Sequence, residues 1–161
     1  MIRLLLLDID GVLTDGRVAL DERGGESKTL AYRDIDAVFQ ARREGLRVAL
    51  ITGEASPLVE VIARRLEVDT VARGAKEKAD ALRQLCAAMG VSLAETCYIG
   101  DGDRDAAALS LVGLGLAPAD ASAEARRSAG RVLAARGGDG AVAEALALIR
   151  HLNAEAAGAS A

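Results

Sequence analysis

The chain has 161 residues, 51% of them apolar, with 2% aromatic residues and a net charge of −4. One domain of this length buries roughly 70% of its unfolded surface, so disorder is excluded. The mild acidity excludes a basic nucleic-acid surface, and so few aromatics leave no platform for stacked bases.

In chain order, "IRLLLLDI" (2–9) reads as a buried strand, because its apolar run is continuous rather than alternating. Four leucines cannot cross a bilayer, and Asp8 and Asp10 break any signal-peptide layout. "GRVALDERGGESKTLAY" (16–32) reads as a β-hairpin turning at Asp21–Gly25, standing over the C-terminal end of the first strand. A helix over 37–45 ends at Gly45, and "LRVALITG" (46–53) is a second buried strand. The helix over 56–68 starts with Ser56 as N-cap and Pro57 at its first position. A short strand lies within 69–74, followed by a helix over 76–90 stopped by Gly90. "TCYIGD" (96–101) is a third clear strand, and a helix over 105–113 leads into a strand over 114–118. A short helix (122–130), a last strand (131–135) and a closing helix (138–156) complete the pattern. Cys86 and Cys97 lie in apolar surroundings and read as reduced core residues, which fits a cytoplasmic protein.

Regular alternation of strand and helix predicts an α/β fold, a Rossmann-like doubly wound parallel sheet. The reading gives a single domain over 1–152, with the hairpin 16–32 as its one insertion and no cap domain. The remainder, 153–161, is small and polar and expected to fray when alone.

Ligands of such sheets bind at the carboxyl ends of the strands. Asp8 and Asp10 follow the first strand, Thr52 and Gly53 the second, and Asp101, Asp103 and Asp105 the third; Lys78 lies in the first turn of a helix after another. Carboxylates gathered on one rim repel unless a cation joins them, and an oxygen-only donor set suits Mg²⁺. A hydroxyl and an ammonium beside the metal are donors for a phosphoryl group, whose transfer needs mainly positioning and neutralised charge.

"DIDGVLTDG", "ITG", Lys78 four residues after Gly74, and "GDGDRD" (100–105) resemble, in order, the four motifs of the haloacid-dehalogenase-type phosphatases. "DGVLTDGR", the hairpin, "ITGE", "YIGD" and "RGGDGAVAEAL" (136–146) extend the resemblance to the small capless branch that acts on sugar-acid phosphates. That branch includes the 3-deoxy-manno-octulosonate 8-phosphate and 2-keto-3-deoxynononate 9-phosphate phosphatases. The resemblance implies that Asp8 is the nucleophile and forms an aspartyl-phosphate, and that Asp10 is the general acid and base. It implies that Mg²⁺ is held by the carboxylates of Asp8 and Asp101 and the backbone carbonyl of Asp10. Thr52, Gly53 and Lys78 would bind phosphate, and Asp105 would orient Lys78 or metal-bound water. It also implies a homotetramer, in which neighbouring subunits close a site that has no cap.

The sequence departs from the branch in places. Gly102 stands where a second aspartate is usual, with Asp103 beside it; Ile35 and Asp36 replace small or neutral residues, and Ile62 replaces arginine. Glu54, Arg65 and Asp139 resemble the nononate type rather than the octulosonate type, and Glu54, Arg65 and Arg136 are the candidate substrate contacts. Two other readings compete. A receiver module also sets acids, Thr and Lys around Mg²⁺, but its phosphorylated aspartate follows the third strand. A non-catalytic interaction domain is supported by Gly102 and Ile62, and opposed by retention of Asp8, Asp10, Thr52, Lys78 and Asp101.

Overall fold

The computed structural model describes residues 1–159. The chain begins with β1 (Leu4–Leu7), the hairpin strands β2 (Ala19–Leu20) and β3 (Glu26–Ser27), α1 (Tyr32–Arg43), β4 (Arg47–Ile51) and α2 (Pro57–Leu66). It continues through β5 (Val71–Ala72), α3 (Lys78–Met89), β6 (Thr96–Ile99), α4 (Ala106–Leu111), β7 (Leu114–Ala117), α5 (Ala123–Ser128), β8 (Arg131–Val132) and α6 (Ala141–Gly158). Six strands form one parallel sheet in the order β5-β4-β1-β6-β7-β8.

The leucines of β1 explain its central place. Side chains alternate along a strand, and here both faces are covered. Leu5 and Leu7 pack in one core with Val38 of α1, Ile62 of α2 and Leu146 of α6, while Leu4 and Leu6 pack in a second with Leu82 of α3 and Leu109 of α4. Each of these fully buried leucines stabilises the fold by about 2 kcal/mol relative to exposure. From β1 the chain winds outward to β4 and β5, then returns past β1 to build β6, β7 and β8. This reversal makes the carboxyl end of β1 the switch point, where a crevice must open. Leu7 is level with Leu50 and Ile99, so the loops after β1, β4 and β6 leave the sheet at one edge.

The hairpin forms with Ala19 opposite Ser27 and Leu20 opposite Glu26. Asp21 closes its turn, its carboxylate accepting from the Arg23 and Gly25 amides at 2.8 and 2.7 Å. Three local expectations are corrected. α1 begins at Tyr32, ahead of the expected 37, because its polar first turn carries Asp34, whose buried carboxylate is satisfied from across the fold. Ser56 does precede Pro57 at the start of α2, but its hydroxyl caps no amide and is buried without a partner among the described residues. α6 spans Ala141–Gly158 where 138–156 was expected, and within it the side-chain amide of Asn153 exchanges two hydrogen bonds with Ile2. Positions 160 and 161 of the tail lie outside the described residues.

Candidate active site

β1 stops at Leu7, and the chain turns at once. Asp8 is extended, and its Oδ1 accepts from the Ile9 amide at 2.8 Å. A wide turn follows over Ile9–Leu13, closed by the Thr14 amide on the Ile9 carbonyl at 3.0 Å, a five-residue span of the kind common at functional sites. Gly11 makes the turn possible, with φ of +83°. A side chain there would also put its Cβ 1.9 Å from Asp101 Oδ2. Asp10 therefore reaches the same cavity as Asp8 through this turn, not through strand alternation.

The cavity measures about 450 Å³ and lies at the switch point. Asp8, Asp10, Thr52, Gly53, Glu54, Lys78, Asp101 and Asp105 all line it, together with Asp103, Arg104 and Ser122. Lys78 opens α3 and is buried; its ammonium lies 3.0 Å from both Asp8 Oδ1 and Asp105 Oδ1. Asp105 is fully committed to protein donors. Its Oδ1 also accepts from the Tyr98 hydroxyl at 2.5 Å, and its Oδ2 accepts from the Asp101 and Gly102 amides at 3.1 and 2.9 Å. Asp105, not Asp103, thus caps the turn after β6, while Asp103 stays exposed on the cavity wall. Gly100 has no room for a side chain, since a Cβ would meet the Asp105 Cβ at 2.6 Å.

The electrostatics of this cluster call for a cation. Burial, with Asp105 and Asp101 nearby, raises the Asp8 carboxyl to about 8 despite the opposing Lys78 ammonium. Burial and Asp105 raise Asp101 to about 6. Burial lowers the affinity of Lys78 for its proton, but Asp8 and Asp105 outweigh this and hold the ammonium above its ordinary value. One positive charge thus faces three carboxylates whose ligand oxygens lie within 4.8 Å of one another. Oxygen-only donors packed this closely fit Mg²⁺. Because Asp105 spends both oxygens on protein donors, Asp8 and Asp101 are the carboxylates available to such an ion.

Two expected substrate contacts lie elsewhere. Arg65 stands on the exposed face of α2, its guanidinium 6.0 Å from the centre of the Tyr32 ring. Arg136 is 68% exposed, with Nε 3.5 Å from Asp120 Oδ2. Ile62 and Ile35 are core residues, at 6% and 5% exposure, so their lack of charge belongs to packing and not to the cavity. Sequence reasoning missed Lys28, whose ammonium leaves the hairpin to meet Asp10 Oδ1 at 2.7 Å. No spacing signal marks a lysine in a polar hairpin. It also missed Tyr98, where a lone aromatic in an aliphatic strand was a signal open to reading.

The comparisons with known proteins agree with this geometry. The family model for haloacid dehalogenase-like hydrolases matches residues 19–113. The 3-deoxy-D-manno-octulosonate 8-phosphate phosphatase KdsC of Escherichia coli K12 is 34% identical over 100 residues, covering 62% of this chain and 53% of that protein. The chain thus spans about half the length of the curated relatives it matches. Among solved structures, the 3-deoxy-D-manno-octulosonate 8-phosphate phosphatase of Moraxella catarrhalis, in complex with magnesium, phosphate and KDO, superposes with a TM-score of 0.88 at 30% identity, covering 92% of this chain and 85% of that one. The cobalt-bound deoxy-D-mannose-octulosonate 8-phosphate phosphatase of Haemophilus influenzae gives 0.87 at 32% identity, with coverages of 92% and 86%. A family match over more than half the chain, on the same fold as these solved structures, settles the assignment: the chain belongs to the haloacid dehalogenase-like hydrolases.

Proposed function

We propose that the chain is a Mg²⁺-dependent phosphatase that hydrolyses a phosphate monoester of a small sugar acid through an aspartyl-phosphate. The observation that carries this reading is Asp8, a buried carboxylate at a strand tip with the Lys78 ammonium 3.0 Å away and Thr52 and Asp101 in the same cavity. Asp8 attacks phosphorus as the bond to the sugar oxygen breaks, and Asp10 delivers its proton to that leaving oxygen. Asp10 then takes a proton from the water that attacks the aspartyl-phosphate. The phosphorus–Asp8 bond breaks, releasing inorganic phosphate and regenerating both carboxyl groups. Lys78 and Thr52 hold the phosphoryl oxygens while charge spreads over them, and Gly53 lines the cavity beside them. Asp105 and Tyr98 fix Lys78 in place, and Lys28 steadies the Asp10 carboxylate. Asp8, Asp101 and the Asp10 backbone carbonyl would hold Mg²⁺, which would supply positive charge to the phosphoryl group.

The substrate is a 3-deoxy-2-keto sugar acid of the octulosonate 8-phosphate or nononate 9-phosphate kind. The names of the relatives favour the first, and Glu54 on the cavity wall favours the second. Val18, Leu20, Tyr32 and Val61 are apolar yet 45%, 68%, 75% and 54% exposed. These residues support a homotetramer that covers them, and packing of subunits would allow Arg65 and Arg136 to reach a neighbour's cavity. Free, buried Cys86 and Cys97 support a cytoplasmic setting, and no described helix is long and apolar enough to cross a membrane.

Phosphate release with Mg²⁺ tests the reading, using both sugar-acid phosphates and an aryl phosphate. Strong preference for one sugar acid, lost in Asp8→Asn, is the expected result. Wild type and Asp8→Asn equally inert on all three would overturn it in favour of a non-catalytic interaction domain.

A further inference from the structure

We infer that Asp34 is a positioning residue for the proposed reaction: through the start of α6 it sets the backbone turn that carries Asp8 and Asp10. The inference rests on the phosphatase reading for its kinetic consequence, and on hydrogen bonds alone for its structural one. Asp34 lies in the first turn of α1 with no exposed surface. Its Oδ2 accepts from the Gly140 amide at 2.9 Å, and its Oδ1 from the Val142 and Ala143 amides at 3.0 and 3.1 Å. A helix leaves its first amides without partners inside the helix. Gly140 occupies the N-cap of α6 and has no side chain to offer, so the cap is supplied by an acid 106 residues away.

The loop leading into α6 is fastened twice more. Glu144 accepts from the Ala134 and Ala135 amides at 3.0 and 2.7 Å, and Asp120 accepts from the Gly137 amide at 2.9 Å. This loop bears directly on the turn after β1. The Gly138 amide donates to the Val12 carbonyl at 2.9 Å. A Cβ on Gly137 would stand 1.9 Å from the Gly11 carbonyl oxygen, and one on Gly138 would stand 2.5 Å from the Asp15 nitrogen. Backbone lies against backbone here, with no side chain to absorb a displacement. A shift at the start of α6 is therefore passed to Gly11–Thr14. Asp120 is exposed and Glu144 half-buried, so water can replace them as acceptors; the site of Asp34 is closed to water.

The test uses the full chain as Asp34→Asn, which keeps the shape but aims an amide donor at backbone donors. Gly138→Ala pushes on the same turn from the loop. Ile149→Val, a core change on α6 away from the loop, controls for lost stability. Two readouts are taken: kcat and KM with a phosphate ester, and hydrogen exchange of the Thr14 amide, which closes the turn. In both turn-directed variants kcat falls by about 10- to 100-fold with KM changed less than about threefold, as expected for a misplaced nucleophile. The Thr14 amide exchanges faster while the amides of Leu5 to Leu7 stay protected. Ile149→Val lowers the melting temperature and moves neither readout. Unchanged Thr14 exchange in Asp34→Asn, or a kcat within twofold of wild type, would overturn the inference. The exchange arm decides it even for a wild-type protein inert on every ester, an outcome that sinks the phosphatase reading alone.

Discussion

The floor of the cavity and its outer wall are built on opposite principles. On the floor, Asp8, Lys78, Asp105 and Tyr98 are buried and hold one another at 2.5–3.0 Å. On the wall, Glu54, Asp103 and Arg104 face solvent, and Arg65 and Arg136 stand outside the cavity altogether. The floor is preorganised within one chain, where a low dielectric makes each charge count. The wall leaves its charges in solvent, where the proposed substrate or a neighbouring subunit would meet them. Changes on the floor should therefore act on the chemical step, and changes on the wall on which ester is bound.

The largest effect should come from Asp8→Asn. With Asp8 as the proposed nucleophile, its removal lowers kcat by at least about 10⁴-fold. Acid-quenched protein from a burst experiment should carry phosphate on wild type and none on the variant. Next is Lys78→Met, which removes the proposed phosphoryl donor and leaves two buried carboxylates facing each other. Loss of about 10²–10³-fold in kcat is expected. Breaking a buried charge cluster costs about 3–5 kcal/mol, so the melting temperature should drop as well. A wild-type melting temperature with lost activity would show that the lysine serves phosphate binding alone.

Gly11→Ala should follow. Its Cβ would collide with Asp101 Oδ2, and its φ of +83° disfavours any side chain by about 1–2 kcal/mol. The expected phenotype is weakened Mg²⁺ binding, read by titration calorimetry, with activity down about 10²-fold at fixed Mg²⁺.

A smaller effect concerns pH and metal. Asp8 at about 8 and Asp101 at about 6 both lie above the unfolded value of 3.8. Between these limits the folded protein keeps protons that the unfolded chain releases, so their contribution to stability is full below about pH 4 and lost as pH rises through 6 and then 8. Metal-free protein should thus lose roughly 3 kcal/mol or more between about pH 4 and pH 9 from these groups. Mg²⁺ held by Asp8 and Asp101, as proposed, would need both carboxylates ionised, so it should raise the melting temperature far more at about pH 9 than at about pH 5. Equal stabilisation at both would place the ion elsewhere.

The contrast between floor and wall also explains what the sequence could reveal. Asp8, Asp10, Thr52, Lys78, Asp101 and Asp105 were legible because each follows an apolar strand or opens the next helix, and a parallel sheet brings those points to one edge. The strands were legible for the same reason: their apolar runs are unbroken. Asp34 was not, because its importance lies in amides 106 residues away that no local pattern announces. Lys28 was hidden by an exposed, polar hairpin whose pairing with the site is wholly tertiary. Arg65 is the reverse case: its resemblance to a basic position of the nononate type is readable in the sequence, while its place on an outer helix face beside Tyr32 is not.

Arg65→Ala gives the smallest expected change and the sharpest test of the wall. An exposed cation over an aromatic ring contributes about 0.5–1 kcal/mol, so the monomer fold should barely register its loss. If subunits assemble so that Arg65 meets the sugar carboxylate in a neighbour's cavity, KM for the sugar-acid phosphate should rise about tenfold, the scale of one lost charge-assisted hydrogen bond. An aryl phosphate has no such carboxylate and should be hydrolysed with its KM unchanged. Dilution that splits the assembly should reproduce the sugar-acid effect in wild type and add nothing in the variant. A rise shared by both esters would place Arg65 in service of the floor, and the division between chemistry within the chain and selectivity across it would fall.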